Sequence, residues 1–457
     1  MSARGRFILI DHSLCDFSGH HYEYARAVLD AATADGRPAV LVTNRKFASE
    51  VASDWPIHRS YKYGIWFHQG APAWQIALWR AWKAVRRGAE CRFSLREKAS
   101  FRGAKSDIGL GEDSEMRLRK LGFARANFEA GRRRQFIRDT QRVLRQLAVT
   151  SDDLVFLPTL SCGDFAALRR LAQSGGRASC PHWHVLFRHP LCRLSLRERA
   201  CFRGAKDDLG ACRFWTDSEE LTAEYRRATG CAFGTLPIPH AASSGNPARK
   251  PPPLRILYLG DARLEKGFHH LPGIVRSLTD GDSERRQFEF YIQAHSTSAR
   301  EAPEIKSARA ELARLADRGV ALFNSALTPA QYRELLASGH LVVLPYDARA
   351  YAARSSGLFA EALAAGIPTV VPAETWMAQW SPQGAGQTYR DIRDIAAIIL
   401  AIAADYPSFA RSARSAAEDW RQRHNAGRLV SLLRETSREP DAEAPSRSVV
   451  DLSPSIA

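Results

Sequence analysis

The sequence predicts an α/β protein built from two domains. Three observations lead there. The chain has 457 residues, whereas a single hydrophobic core rarely grows past about 250–300 residues. Its start reads strand, turn, helix, strand, the pattern of a βαβ unit. A proline-rich junction, His240 to Pro253 (HAASSGNPARKPPP), is followed at once by a second alternation of short apolar strands and helical stretches.

Each element has a local reason. Phe7 to Asp11 is an apolar run ending in an acid. A polar loop with Ser18-Gly19 opens a helix over His20 to Ala34, where Tyr24, Ala25, Val28, Leu29 and Ala32 recur at helical spacing and Gly36 terminates it. Ala39 to Thr43 is the next buried strand. Leu154–Leu157, His184–Phe187 and Cys212–Trp215 extend the same parallel sheet. After the junction the strands are Leu254–Leu259, Phe288–Gln293, Val320–Phe323, Leu341–Leu344 and Thr369–Val371. The helices between and after them are Gly267–Leu278, Ala308–Ala316, Pro329–Ala337, Leu358–Ala365 and Ile392–Ala403. The predicted division is a first domain over 1–245, a linker over 246–253, a second domain over 254–434, and a Ser-, Pro- and acid-rich disordered tail over 435–457.

Composition narrows the class. A balance of 45% hydrophobic and 25% charged residues excludes a wholly disordered or fibrous chain. The longest uncharged apolar run, Ile395 to Ala404, is ten residues, half of a bilayer span. The apolar stretch near the N-terminus is too short for a signal peptide, so a cytoplasmic protein is expected. The eight cysteines form no C-x-x-C pair, which argues against a disulfide framework or a zinc site.

The net charge of +16 is concentrated in one place. Arg80 to Arg145 holds 19 Lys or Arg against 8 Asp or Glu. This basic helical insert, about 74–148, points to an anionic partner or, alternatively, to a solvated helical face. In Trp74 to Arg87 (WQIALWRAWKAVRR), Leu78, Trp79, Trp82 and Val85 share one face of a helix, with Arg80 and Lys83 opposite or flanking. That is the make-up of a helix lying in a membrane interface, which predicts peripheral attachment to an anionic membrane surface. A core-facing helix is the alternative. The insert also begins a duplication. Cys91–Gly109 matches Cys192–Gly210 at fourteen of nineteen positions without gaps. Both copies read as exposed basic helix and turn, suited to contacting anions or serving as neutral surface insertions.

Two loops of the second half carry chemistry. Leu257 to Gly267 (LYLGDARLEKG) lies at the C-terminal end of a strand, where open α/β sheets bind ligands. There Arg263 and Lys266 can clamp a diphosphate. In Arg354 to Pro368 (RSSGLFAEALAAGIP), Ser355, Ser356 and Gly357 precede a helix and present backbone N–H groups to an anion. Glu361, one turn in, can accept hydrogen bonds from a ribose diol; a surface salt bridge is the alternative.

These segments resemble the retaining GT-B glycosyltransferases of family 4. The shared pattern is G-x-x-x-x-E-K-G after a strand, then F-x-E-A-L-A-x-G-x-P-x-V-x-P about ninety residues on, with Gly19-His20-His21 standing for the family's N-terminal glycine loop. The resemblance covers roughly 6–45 and 150–430. It implies two Rossmann-like domains facing across a cleft, with a nucleotide-sugar donor on the second and the acceptor, a glycan or lipid-linked species, on the first. It further implies hexosyl transfer with retention, of the kind used in cell-surface polysaccharide biosynthesis. Lys266 falls on the family lysine of the donor diphosphate and Glu361 on the second glutamate of E-x7-E. Gly260, Arg263, Arg354, Ser355, Ser356 and Gly357 complete the donor set. His189, just after a strand, takes the place of the histidine that contacts the transferred sugar, with Arg188 beside it as a phosphate contact. Three positions depart: the first glutamate of E-x7-E is Ala353, the glycine that follows it in the family is Ser356, and the arginine after Gly260 is Asp261. No metal or other cofactor is expected, because in this chemistry positive side chains and helix dipoles stabilise the leaving diphosphate. Ala353 also favours an alternative, a catalytically silent GT-B protein that serves as a binding or scaffolding subunit. A nucleic-acid binder has only the charge in its favour, since no recognised RNA or DNA module is present.

Overall fold

The computed structural model describes residues 5–15, 20–47, 53–65, 112–174, 181–191, 201–202, 212–240, 253–280, 287–296, 301–382 and 384–438, with backbone alone over 112–127. Gly19 and the proposed membrane contacts Trp79, Arg80, Trp82 and Lys83 lie outside these residues, as do the first duplicated segment, the linker at 246–252 and the tail beyond 438.

Two parallel sheets form the frame. The first has seven strands: β1 (Phe7–Asp11), β2 (Ala39–Asn44), β3 (Ile57–Tyr61), β4 (Leu154–Leu157), β5 (His182–Leu186), β6 (Cys212–Thr216) and β7 (Phe233–Thr235), in the order β3-β2-β1-β4-β5-β6-β7. The second has six: β8 (Leu254–Tyr258), β9 (Phe288–Gln293), β10 (Val320–Phe323), β11 (Leu341–Val343), β12 (Thr369–Pro372) and β13 (Gly386–Tyr389), ordered β10-β9-β8-β11-β12-β13. In each sheet the order in which strands are added switches sides beside the first strand, between β1 and β4 and between β8 and β11, and ligands of such sheets bind outside the carboxyl ends of the strands at that point.

Both faces of each sheet are covered, which is why the central strands read as unbroken apolar runs. Side chains alternate between faces. In β1, Ile8 and Ile10 join the cluster that contains Val40, Val155 and Phe165, while Phe7 and Leu9 pack with Val28, Leu29 and Leu41 on the other side. In β8, Ile256 and Tyr258 face Phe268 and Ile292, and Leu257 packs against Leu336 and Phe359.

Two stretches differ from the linear reading. The helix Glu112–Gln146 ends as the crossover between β3 and β4: Phe136 and Val143 are buried in the first core. The basic stretch thus supplies a core element in its last turns, with Arg134, Arg138 and Arg145 on the exposed side. In the second duplicated segment, expected to be exposed, Phe202 is buried and stacked on Phe165 at 5.0 Å. An aromatic ring gains too much from burial to stay outside when a core slot is within reach.

The C-terminal helix, Ala426–Arg438, leaves the second domain and packs on the first. Leu429, Val430 and Leu433 lie among Val28, Leu29 and Ala32 of the first helix, His20–Ala34. Arg434 pairs with Asp35 at 2.6 Å, and Ser437 Oγ meets His184 Nε2 at 2.8 Å.

Candidate active site at the interdomain cleft

The loop after β8 is shaped to hold one ammonium group. Gly260 has φ +109, its N–H donates to Gln293 Oε1 at 2.7 Å, and a Cβ there would lie 2.9 Å from Lys266 Nζ. Gly267, φ +67, closes the 3-10 turn Leu264–Lys266; a Cβ would strike the Pro345 carbonyl oxygen at 1.7 Å. Both glycines are therefore required by the path of the chain. Lys266 Nζ lies 5.7 Å from the centre of the Tyr346 ring. Burial pulls its pKa down to about 7; Arg263 and Arg354 push the same way, and Asp261 opposes them.

Glu265 organises the neighbouring cations. Its Oε1 is 3.2 Å from Arg263 and 3.2 Å from Arg354, and Arg263 also reaches Asp261 at 3.4 Å. Arg354, next to Ala353, thus points back to the first loop and sits over Tyr351 at 5.0 Å.

The second loop leads into the helix Gly357–Ala364. Ser356 is its N-cap and accepts from Phe359 N at 3.3 Å. Ala360 N bonds to the Ser356 carbonyl, so Gly357 and Leu358 supply the first-turn amides without an intrahelical acceptor. Ser355 Oγ instead donates across the cleft to Asp217 Oδ2 at 2.7 Å. Glu361 is half-buried on this helix. The Tyr332 hydroxyl donates to its Oε2. Burial pushes its pKa up to about 7, Glu23 adds to the rise, and Tyr332 and Lys266 work against it.

Glu361 therefore responds to Lys266 of its own domain and to Glu23 of the other. Glu23, on the first helix, is bound by Arg333 at 2.8 Å and by Arg26 at 2.6 Å. Arg188 lies in the same cleft, its guanidinium 4.3 Å from the centre of the Tyr24 ring and 3.8 Å from Asp217. His189 follows it, half-buried, and its carbonyl accepts from Tyr225 at 3.0 Å. His20 opens the first helix and His21 is exposed on it.

Sequence reasoning nominated Lys266, Glu361, Arg263, Arg354 and Arg188, and the structure gathers them at the facing edges of the two sheets. It did not nominate Glu23, Glu265, Tyr332, Arg333, Asp217 or Ser218. Two of these had a legible signal: Glu265 as the glutamate of G-x-x-x-x-E-K-G, and Ser218 as the cap before Glu219-Glu220 and an amphipathic helix.

Backbone comparison with solved structures matches this arrangement over nearly the full length. Sucrose-phosphate synthase from Thermosynechococcus elongatus aligns with TM-score 0.61 at 12% identity, covering 95% of this chain and 98% of that one. WaaG, a glycosyltransferase involved in lipopolysaccharide biosynthesis, aligns with TM-score 0.51 at 14% identity, covering 96% and 100%. The fold is GT-B. Anabaena HepE in complex with UDP-glucose shares it, with TM-score 0.55 at 12% identity over 94% of this chain and 98% of that one. No protein-family model matches the chain, and no curated protein matches it in sequence. At these identities the likeness lies in the GT-B backbone. Among the described residues no group of three His, Cys, Asp or Glu is placed to hold a metal ion, and no helix is long and apolar enough to cross a membrane.

Proposed function

We propose that this protein is a glycosyltransferase that moves a hexosyl group from a nucleotide-diphosphate sugar to a glycan or lipid-linked acceptor. One observation carries the reading: Glu361, on the helix Gly357–Ala364, lies within electrostatic reach of Lys266 on the loop after β8 and of Glu23 of the opposite domain. Lys266 and Arg263 take the diphosphate, aided by the amides of Gly357 and Leu358 at a helix N-terminus. Glu361 accepts from the ribose hydroxyls, held toward them by Tyr332. As the sugar leaves, negative charge grows on the diphosphate, and fixed cations stabilise that change without rearranging. This chemistry needs no metal. Arg188 and His189 lie on the acceptor side, His189 facing the transferred sugar, and transfer proceeds with retention.

UDP-glucose is the first donor to test, since HepE of the same fold was captured with it. We place the acceptor in cell-surface polysaccharide assembly, at the cytoplasmic face of a membrane whose anionic lipids meet the basic insert. A second reading has Ala353 in its favour: a GT-B subunit that binds but does not turn over. A thermal-shift screen of UDP-, GDP-, ADP- and TDP-sugars tests donor binding. Ligand held only by the folded state stabilises it by about 2.7 kcal/mol at a hundredfold excess over Kd. Release of nucleoside diphosphate in the presence of acceptor separates the two readings. If no nucleotide-sugar moves the melting midpoint, the donor site is misassigned.

A further inference from the structure

The loop that carries the donor-side helix is tied to the opposite domain at two points. Ser218 Oγ donates to the Ala353 carbonyl at 2.7 Å, and Ser355 Oγ donates to Asp217 Oδ2 at 2.7 Å. Both partners stand just past the C-terminal end of β6, and both are nearly sealed from solvent, Asp217 at 5% exposure and Ser218 at 1%. Their geometry is set within the first domain. Ser218 caps the helix Glu219–Thr229, accepting from Leu221 N at 3.2 Å. A hydroxyl has one proton and two lone pairs, so the cap uses a lone pair and leaves the proton for Ala353. Asp217 Oδ1 is buried with no hydrogen-bond partner. Such an arrangement is costly in a structure selected for stability alone.

We propose that Asp217 and Ser218 are positioning residues for the donor site. They set the path of residues 353–356 from across the cleft, so the amides of Gly357 and Leu358 and the carboxylate of Glu361 come into place only when the domains are closed. The inference rests on the nucleotide-sugar reading and adds to it. Position 353 is alanine and offers only its backbone, and the tie from Ser218 uses that backbone carbonyl. The coupling is reciprocal: a donor that needs the ordered loop favours closure by the same factor that closure favours the donor.

The experiment uses the full chain with Asp217→Ala, Ser355→Ala, the double variant and Asp217→Asn, which keeps an acceptor oxygen for Ser355. Amide hydrogen exchange over residues 353–360 is measured without donor, and UDP-glucose affinity is measured by calorimetry. Exchange in this loop should quicken in both alanine variants while their melting midpoints stay close to wild type. The Kd for UDP-glucose should rise about tenfold or more. Asp217→Asn should recover most of the loss, and the double variant should bind no worse than Asp217→Ala alone, because the Ser355–Asp217 contact is removed once. If wild type binds and Asp217→Ala binds equally well, or if loop exchange is unchanged, the positioning role is wrong and the functional reading stands. If wild type binds none of the UDP-, GDP-, ADP- or TDP-sugars, the functional reading fails and this inference fails with it. Ser355→Ala, which changes the other side of the contact, keeps the test decisive if Asp217→Ala does not fold.

Discussion

Lys266 offers the sharpest test of the donor site, because its charge and its pKa make separate demands. With its pKa pulled down to about 7 by burial, most molecules carry the ammonium at pH 6, and roughly one in ten does at pH 8. A sugar-substituted diphosphate has no group that titrates between those values, so the protein supplies the whole pH dependence. Binding selects the charged form. The affinity due to Lys266 should thus be full below about pH 7 and fall about tenfold by pH 8, with close to one proton taken up per donor bound there. Lys266→Ala removes a charge-assisted contact of roughly 1.5–3 kcal/mol. At pH 6 that is a loss of roughly 10- to 150-fold, and at pH 8 the gap to wild type should narrow by about tenfold. Glu361 titrates over the same range with the opposite sign, since ribose hydroxyls donate to the ionised carboxylate. Lys266→Arg, always charged, isolates it, and the remaining affinity should then rise with pH. The assay is calorimetry of the best donor from the screen at pH 6 and 8, in buffers of different ionisation enthalpy. An unchanged pH slope in Lys266→Ala, or no proton uptake at pH 8 in wild type, refutes the assignment of the diphosphate to this lysine.

Three further outcomes are expected. Tyr332→Phe removes the hydroxyl that donates to Glu361, so the carboxyl should ionise above pH 7, and the rising limb seen in Lys266→Arg should move to higher pH when the two changes are combined. Arg132 is 4% exposed and binds the fully buried Asp164 at 2.9 Å; burial pushes that carboxyl up, and Arg132 with His12 outweighs it and holds it below the usual range. Arg132→Ala should cost about 3–5 kcal/mol in denaturant unfolding at pH 7, with the gap narrowing as acid protonates Asp164 in both proteins. In vesicle co-sedimentation, wild type should pellet with anionic lipid at low salt and be released at high salt. Trp79→Ala with Trp82→Ala should lose that binding and keep its melting midpoint, whereas wild type remaining in the supernatant would remove the membrane reading.

What the sequence made legible follows burial. The strands found from sequence, such as FILID of β1 and LVFL of β4, are sealed on both faces, so apolar runs announced them. The missed strands are β3 (IHRSY), β7 (FGT) and β13 (GQTY), all at sheet edges, where one side faces solvent and no apolar run is needed. The site divides in the same way. Lys266 belongs to a loop and Glu361 to a helix start, both with local patterns. Glu23, Tyr332 and Asp217 look like ordinary helix or turn residues, and only the folded chain sets them beside Glu361 and Ser355.

The contacts between domains also differ in kind, and the difference locates the hinge. The C-terminal helix buries Leu429, Val430 and Leu433 in the first core, each worth about 1.5–3 kcal/mol. Beside it Ile238 N donates to His424 Nδ1 at 3.1 Å, and His424 stacks on Trp420 at 3.8 Å. Among the described residues the cleft-side ties are polar: they include Glu23 with Arg333, whose side chain is 41% exposed, the two hydrogen bonds at Asp217 and Ser218, and Glu220 with Gln379. An exposed ion pair contributes about 0–1 kcal/mol and a neutral hydrogen bond about 0.5–1.5 kcal/mol. These magnitudes predict that opening would break the cleft ties first, while the helix and the His424 contact hold, with the domains turning about the chain near Ile238 and Asn425. On the proposed reading the groups that let go are the same ones that shape the donor loop and face Glu361, so opening the cleft would disassemble the donor site in the same motion that frees the nucleotide.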